Sequence, residues 1–383
     1  MGNDENKNNG AKPILIFPAG MPRSLEYLEK CLQSGKAVIG ASSLIQDQSR
    51  KKYPRWTHLP YVTQPDFEDA LEHAISEFDI GGIYSPNIVV WNHLNQILKR
   101  MAPNVVLVNE SPANAEMSGY RAAKASANSL LGNPLPLAPD FDAKSPMSAT
   151  ELSVLFRHAD VIPGMCDNEK LCALYEIARL SSPGDIVEIG SWWGKSAFIL
   201  ARLATCYSVG RLLCVDPWSN QHLVQNDEKG LVDNGSADIN ADEALTVFEM
   251  NLLPYNSNHI NYLRMPSTEG AMYYRENRDV VTTSFGKTSY GGGIAILHID
   301  GNHNYKSVKA DIASWSGFVI EGGWIVLDDY LWPYGDGPRK AADEFLIENH
   351  HNIDCAFVMG GAIFFHVRRS PGKSSATQSK VKR

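Results

Sequence analysis

The sequence lacks two features that would assign it to a specialised class of protein. It has no run of about 18 apolar residues, the length that a membrane-spanning helix needs, so no membrane span is expected. It has no excess of positive charge, because 35 Lys and Arg residues stand against 43 Asp and Glu residues. The resulting net charge of −8 argues against nucleic acid as a main partner.

Cysteines are also few, and their spacing shows no pairs. The six are Cys31, Cys166, Cys172, Cys206, Cys214 and Cys355. This pattern predicts reduced thiols in a cytoplasmic protein, not a disulfide or zinc framework. The ends of the chain have little apolar content, and residues 1–12 lack the apolar core of a signal peptide. We expect residues 1–12 and the Ser- and Lys-rich residues 370–383 to be disordered.

The first part of the chain alternates short apolar strands with amphipathic helices. Four strands are expected, at residues 14–17, 37–40, 80–84 and 105–108. This alternation predicts a parallel sheet covered by helices on both faces, a Rossmann-like accessory domain over residues 13–121. The segment Ile14 to Gly20 and the order of elements are similar to the nucleotide-fold domain that precedes the ATP-grasp module in many ligases. No such module follows, so we expect this domain to bind a partner or to support the rest of the chain.

The next segment has the composition of a linker. Residues 122–150 are rich in Ala, Ser, Asn and Pro, and they precede a second α/β domain predicted over residues 151–369. The fold class is therefore α/β, with two domains. The second domain is expected to hold a mostly parallel sheet.

The central motif of the second domain runs from Asp185 to Ser196, a strand, a glycine turn and the start of a helix. A triphosphate loop needs its first glycine where the chain has Ile189, and a dinucleotide turn needs a glycine where it has Trp192. The remaining pattern is an acid at Glu188 followed by Gly190 and Gly194. An ordinary turn with a structural glycine is the alternative.

This pattern resembles the first motif of the class I S-adenosylmethionine-dependent methyltransferases. A second acid, Asp216, ends the next strand, 216 − 188 = 28 residues later, where it is suited to accept both ribose hydroxyls. The resemblance implies a mostly parallel seven-stranded sheet with a closing hairpin. It also implies a cofactor site, whose candidate residues are Glu188, Gly190, Ser191, Gly194, Ser196, Asp216, Ser267 and Asp300.

Three carboxylates follow two later strands of this domain. Asp300 ends the strand from Gly293, and Asp328 and Asp329 end the strand from Gly322. Carboxyl ends of neighbouring parallel strands meet at one edge of a sheet, and crowded acids favour a divalent cation. Oxygen ligands without sulfur indicate Mg²⁺ or a similar hard ion.

These stretches resemble the metal-dependent O-methyltransferases that act on natural-product sugars, and their cephalosporin-hydroxylase-like relatives. The resemblance implies that Asp300, Asp328 and Asp329 hold the metal. In this group the general base stands either two or three residues after the first of these acids. The chain has Asn302 at the first position, which cannot take a proton, so the resemblance implies that His303 is the base. A histidine on a surface loop and acids in a turn are the alternatives.

The expected function is therefore methylation of a hydroxyl on a small-molecule or glycan acceptor. Residues 219–242 are expected to form either a lid over the substrate or a disordered insertion. Aromatic residues of the loop 331–339 could line the acceptor pocket. The alternatives are a metal-binding hydroxylase-like relative and a non-catalytic nucleoside- or sugar-binding protein. The group that the chain resembles often assembles, so the resemblance is also compatible with a homo-oligomer.

Overall fold

A computed structural model describes residues 12–136, 143–222, 224–225, 229–236 and 238–368. The chain divides into two compact units, Met1–Arg121 and Ala122–Arg383. The ends predicted to be disordered lie outside the described residues, except for Lys12. None of the helices in the described ranges has the length and apolar character needed to cross a membrane. All six cysteines are free thiols, as predicted.

The first unit contains a five-stranded parallel sheet in the order β3-β2-β1-β4-β5. Its elements, together with the helix that crosses the unit boundary, are β1 (Ile14–Ile16), α1 (Pro22–Gln33), β2 (Val38–Ser42), β3 (Trp56–His58), α2 (Phe67–Phe78), β4 (Gly82–Tyr84), α3 (Ile88–Met101), β5 (Val106–Leu107) and α4 (Pro112–Gly132). The predicted parallel α/β arrangement is confirmed. Strand β3 was not predicted, because it is a three-residue edge strand with no fully buried side chain.

The linker prediction over residues 122–150 is wrong for its first part. Residues 122–132 continue helix α4, and Ala123, Ala127 and Leu130 are buried in a core of the second unit. Their spacing of four and three residues places them on one helical face. Alanine is also the strongest helix former, so an Ala-rich composition favours a helix here over a flexible connection.

The second unit contains a seven-stranded sheet in the order β13-β14-β12-β11-β6-β7-β8 and a separate β9-β10 ribbon. Its elements are α5 (Ala149–Val161), α6 (Asn168–Leu180), β6 (Asp185–Ile189), α7 (Lys195–Cys206), β7 (Leu212–Val215), α8 (Leu231–Ser236), α9 (Ala241–Leu252), β8 (Ile260–Leu263), α10 (Ser267–Glu276), β9 (Asp279–Thr282), β10 (Gly286–Ser289), β11 (Ile294–Ile299), α11 (Tyr305–Trp315), β12 (Val319–Leu327), α12 (Gly337–Asn349), β13 (Ile353–Met359) and β14 (Ala362–Val367).

The chain reverses its direction across this sheet beside β6. Strands β7 and β8 extend the sheet on one side of β6, whereas β11 and β12 extend it on the other, all in parallel. Ligands of open parallel sheets bind at the carboxyl ends of the strands where the order reverses. The fold therefore directs attention to the turn after β6 and the residues after β11.

Side chains of the sheet alternate between two cores. Ile186, Cys214 and Val326 belong to the core that includes α6 and α7, whereas Val187 and Leu327 belong to the core on the other face. This period of two places Glu188 on the face of Ile186. The sheet closes with the antiparallel hairpin β13-β14, in which Gly360 and Gly361 form the two-residue turn.

Candidate functional site

The turn after β6 packs directly against the end of β11. Gly190 has a φ of +82°, a conformation that residues with a Cβ rarely adopt. A Cβ atom on Gly190 would lie 2.0 Å from the carbonyl oxygen of Asp300. Only glycine fits here, and the predicted cofactor turn and the first predicted metal ligand are neighbours.

Gly194 starts helix α7 in the same left-handed region, with a φ of +88°. A Cβ atom there would lie 2.6 Å from Leu252 Cδ2, so the turn is also held closely by α9. Ser196, two residues into the helix, is buried. Trp192 lies between the glycines with a φ of +48°, a conformation unusual for a bulky residue.

Asp216 shapes the turn after β6. Its Oδ2 accepts hydrogen bonds from the backbone N–H groups of Ser191 at 3.0 Å and Trp192 at 3.1 Å. Its Oδ1 accepts one from the N–H of Trp218 at 2.7 Å. Burial raises the pKa of Asp216, and the three amide donors oppose that shift. The sequence indicated that Asp216 binds ribose, but it did not indicate these hydrogen bonds to the backbone. The ribose contact stays a prediction.

Glu188 is fully buried, which the sequence did not indicate. Its Oε1 lies 3.0 Å from His298 Nδ1, because β6 and β11 pair Glu188 with His298 in register. Its side chain has no exposed surface in the structure, and its predicted place in the cofactor site stays a prediction. Burial lowers the pKa of His298, but the hydrogen bond and charge of Glu188 raise it more, and the net shift is upward.

The acids after β11 and β12 converge as predicted, but they share a cation that the sequence did not indicate. Lys170 Nζ contacts Asp328 Oδ2 and lies 3.5 Å from Asp300 Oδ2. Burial alone would lower the pKa of Lys170, but the negative charges of the two acids raise it by more than burial lowers it. The side chain therefore keeps its positive charge. A sequence signal existed, because Lys170 shares the apolar stripe of α6 with Leu174 and Ile177.

Asp329 pairs with the predicted base. Its Oδ2 lies 2.7 Å from His303 Nε2, and the ring of His303 packs on Trp332 with centroids 4.5 Å apart. Burial lowers the pKa of His303, whereas the hydrogen bond to Asp329 and the surrounding acids raise it, for a net upward shift. Asp329 has a φ of +55°, and its N–H donates to Asp328 Oδ1 at 2.9 Å.

Two overlapping sets of donor atoms could hold a divalent cation. The ligating atoms of Asp300, His303 and Asp329 lie within 4.8 Å of one another, and so do those of His298, Asp300 and Asp328. His298 Nε2 is buried and has no hydrogen-bond partner among the described residues. Hard oxygens with imidazole nitrogen suit Mg²⁺ or Mn²⁺. The donors therefore fit a metal, with Lys170 as a competitor for Asp300 and Asp328.

Part of the segment predicted as a lid contacts these residues. Val224 O accepts a hydrogen bond from Asn302 Nδ2 at 2.9 Å, and Gln225 Oε1 accepts one from the N–H of His303 at 2.9 Å. The segment also contains α8, so it is not irregular throughout. Leu223, residues 226–228 and Ala237 lie outside the described residues.

Ser267, the last of the predicted cofactor residues, and an open cleft lie at the edge of the sheet that β7 and β8 form. Ser267 Oγ accepts a hydrogen bond from Trp315 Nε1 at 2.9 Å, so its predicted adenine contact stays a prediction. The cleft has a volume of about 400 Å³. It is lined by Pro217, Trp218, Ser219, Asn220, Asn240, Ala241, Asp242 and Arg264.

Comparison with known proteins identifies the enzyme class. Residues 187–330 match a family model described as a methyltransferase domain, which is less than half of the chain. No curated protein sequence matches the chain. The family match confirms the prediction made from Glu188, Gly190 and Asp216. The chain therefore contains a methyltransferase domain, as predicted.

Several solved structures resemble the chain weakly. The O-methyltransferase NovP is 14% identical, with 66% of this chain and 100% of that one covered and a TM-score of 0.39. CalS11, a TDP-rhamnose 3'-O-methyltransferase of calicheamicin biosynthesis, is 18% identical, with coverages of 68% and 96% and a TM-score of 0.36. MycE of the mycinamycin pathway, in complex with Mg and SAH, is 17% identical, with coverages of 51% and 48% and a TM-score of 0.30. At these TM-scores the likenesses carry no argument about acceptor or metal.

Proposed function

We propose that the chain is an O-methyltransferase that methylates a hydroxyl of a sugar or another natural-product acceptor, assisted by a divalent metal such as Mg²⁺. One observation carries the proposal. The turn at Gly190 and the backbone of Asp300 are in contact, since a Cβ on Gly190 would lie 2.0 Å from Asp300 O. A cofactor on that turn is therefore adjacent to the acids and to His303.

S-Adenosylmethionine supplies the electrophilic methyl group. The turn from Gly190 to Gly194 and the start of α7 at Ser196 are suited to hold its charged end, because helix N-termini favour negative groups such as its carboxylate. Asp216 fixes that turn through its three amide hydrogen bonds. The cleft beside Trp218 and Arg264 offers space for the adenosine at the carboxyl ends of β7 and β8.

Asp300, Asp328 and Asp329 would hold the metal, in line with the convergence of their oxygens with His298 and His303. A divalent cation bound there would polarise neighbouring hydroxyl oxygens of the acceptor and lower the pKa of one of them. Every other task in the reaction falls to side chains of this chain. They orient the acceptor, exclude water and take up the proton.

His303 is suited to take that proton at Nδ1. Its Nε2–H donates to Asp329 Oδ2, which fixes the tautomer. The Nδ1 atom is buried in the structure and has no partner among the described residues, so its lone pair is free to accept a proton. The acceptor oxygen attacks the methyl carbon, the carbon–sulfur bond breaks, and the hydroxyl proton passes to His303 Nδ1. The products are a methyl ether and S-adenosylhomocysteine.

The acceptor side of the site is aromatic. Trp332 packs on His303, and Tyr334, half exposed, contacts Trp332 with ring centroids 5.6 Å apart. Aromatic faces suit the apolar face of a sugar or another ring. The hydrogen bonds of Val224 and Gln225 to Asn302 and His303 support a lid role for this loop.

Calorimetric titration with S-adenosylmethionine and S-adenosylhomocysteine, with Mg²⁺ and after chelation, tests the cofactor. We expect micromolar binding that survives chelation, because in this proposal the metal contacts the acceptor and not the cofactor. Absence of binding under both conditions would sink the proposal.

A second experiment tests the site residues with labelled methyl transfer to a panel of sugar and phenol acceptors. Asn tolerates the left-handed conformation of Asp329, so Asp329→Asn removes one charge with little backbone strain. We expect Asp329→Asn and His303→Ala to slow turnover about 100-fold or more, with cofactor affinity kept. His351→Ala is the control and should keep full activity, because His351 is exposed and its ring packs against that of His350. Full activity of both site variants would contradict the assignment.

A further inference from the structure

Lys170 is a buried cation with no part in the proposed reaction. It is the third residue of α6, and only 3% of its side chain is exposed. Its backbone N–H donates to Asp167 Oδ1 at 2.7 Å, which caps the helix. A Cβ on Gly360 would lie 2.3 Å from Lys170 N, so the β13-β14 turn also packs on this residue. The position of the lysine is therefore fixed from two sides.

The ammonium group lies against the two acids that also belong to the candidate metal site. It contacts Asp328 and lies 3.5 Å from Asp300. A buried carboxylate is costly unless it is paired, and here the lysine provides the pairing within the chain. A divalent cation on the same oxygens would meet a positive charge at contact distance, and like charges in a buried site repel strongly.

We propose that Lys170 is an internal counter-cation that shares Asp300 and Asp328 with the metal, so that it keeps the acids together without metal and lowers the affinity for metal. The inference rests on the metal-assisted part of the proposed function. Lys170 does not contact Asp329 in the described structure; Asp329 pairs with His303 instead. On binding, the metal would then replace Lys170 as the charge partner of Asp328.

The test measures Mn²⁺ binding by the full chain, with free Mn²⁺ counted by electron paramagnetic resonance. Lys170→Met keeps an unbranched side chain that is one atom shorter, and it removes the charge. We expect it to bind Mn²⁺ at least about tenfold more tightly than the wild type. Its melting temperature should also rise more on addition of Mn²⁺, because the metal replaces the missing partner of Asp328.

Two further variants make the comparison specific. Lys144→Met is the matched control, because Lys144 Nζ is partly buried and, within the described ranges, donates to the backbone carbonyls of Ser181 and Tyr207 and not to an acid. It should leave Mn²⁺ affinity unchanged. Adding Asp328→Asn to Lys170→Met should cancel the gain, since the carboxylate that the lysine released is gone. If Lys170→Met does not fold, Lys170→Gln keeps a donor to Asp328 without the charge and gives the same comparison.

Equal or weaker Mn²⁺ binding by the Lys170 variant, or no binding by either protein, would overturn the inference. Titration of the same samples with S-adenosylmethionine separates this failure from failure of the proposed function. Cofactor binding with unchanged Mn²⁺ affinity removes only the role of Lys170. Loss of cofactor binding in the wild type removes the proposed function as well.

Discussion

Replacing Gly190 with alanine tests how tightly the turn after β6 packs on β11. The new methyl group would lie 2.0 Å from Asp300 O, and the residue would have to keep a φ of +82° or abandon the turn. Left-handed backbone costs a non-glycine residue about 1–2 kcal/mol. Backbone shifts that relieve overpacking cost typically about 1–3 kcal/mol more. We expect Gly190→Ala to lower the free energy of unfolding by about 2–5 kcal/mol.

Gly286→Ala is the matched control for this measurement. Gly286 lies in the same unit and has a φ of +70°, but a Cβ there would meet nothing within 4 Å. It should therefore cost only the conformational part, about 1–2 kcal/mol. Urea unfolding followed by tryptophan fluorescence, with calorimetric titration of S-adenosylmethionine, gives both readouts. A Gly190 variant no less stable than the Gly286 variant would refute the close approach to Asp300.

Three other variants test separate parts of the structure. The pKa of Asp311 is raised to about 6, chiefly by burial. The folded chain therefore holds a proton that the unfolded chain loses, and this group makes stability fall by about 3 kcal/mol as pH rises from about 4 to 6. Asp311→Asn should remove that slope in urea unfolding, and identical slopes for both proteins would contradict the shift. Asp216→Asn loses acceptor capacity toward the turn amides, so S-adenosylmethionine binding should weaken about tenfold or more by calorimetry; unchanged affinity would exclude this role. Gln225→Ala removes the hydrogen bond to the His303 N–H, so kcat/KM for the acceptor should fall by up to about tenfold with cofactor affinity kept, and unaltered kinetics would show that the contact is idle.

The sequence predicted those parts of the site that depend on local pattern. Gly190 and Gly194 have the left-handed conformations that a strand-to-helix turn needs, and the acids after β11 and β12 meet because neighbouring parallel strands end at one edge. The glycine turn follows from spacing within one strand–turn–helix unit, and the meeting of the acids follows from the parallel pairing of two consecutive strands. Pattern analysis is suited to such units.

The remainder depended on long-range packing that spacing does not encode. Glu188 matched a ligand motif, but register with His298 turned it into a buried pair. Lys170 joined the acids only because α6 packs at the tips of β11 and β12, more than a hundred residues further along the chain. Asp216 bonds three amides in two separate turns, which contain the left-handed residues Trp192 and Trp218. The sequence shows that each of these three residues is charged, but it does not show which groups each one contacts.

The separation between Lys170 and its acids has a consequence for the order of folding. The lysine precedes Asp300 by 130 residues and Asp328 by 158. Closing loops of that length costs entropy before the contact returns any stability, so such contacts form late. During synthesis α6 emerges long before β12, and its buried position has no counter-charge until the last strands arrive. We expect this ion pair to be absent from the transition state for folding. An interaction of this kind slows the unfolding of the folded domain and leaves the folding rate of the domain almost unchanged.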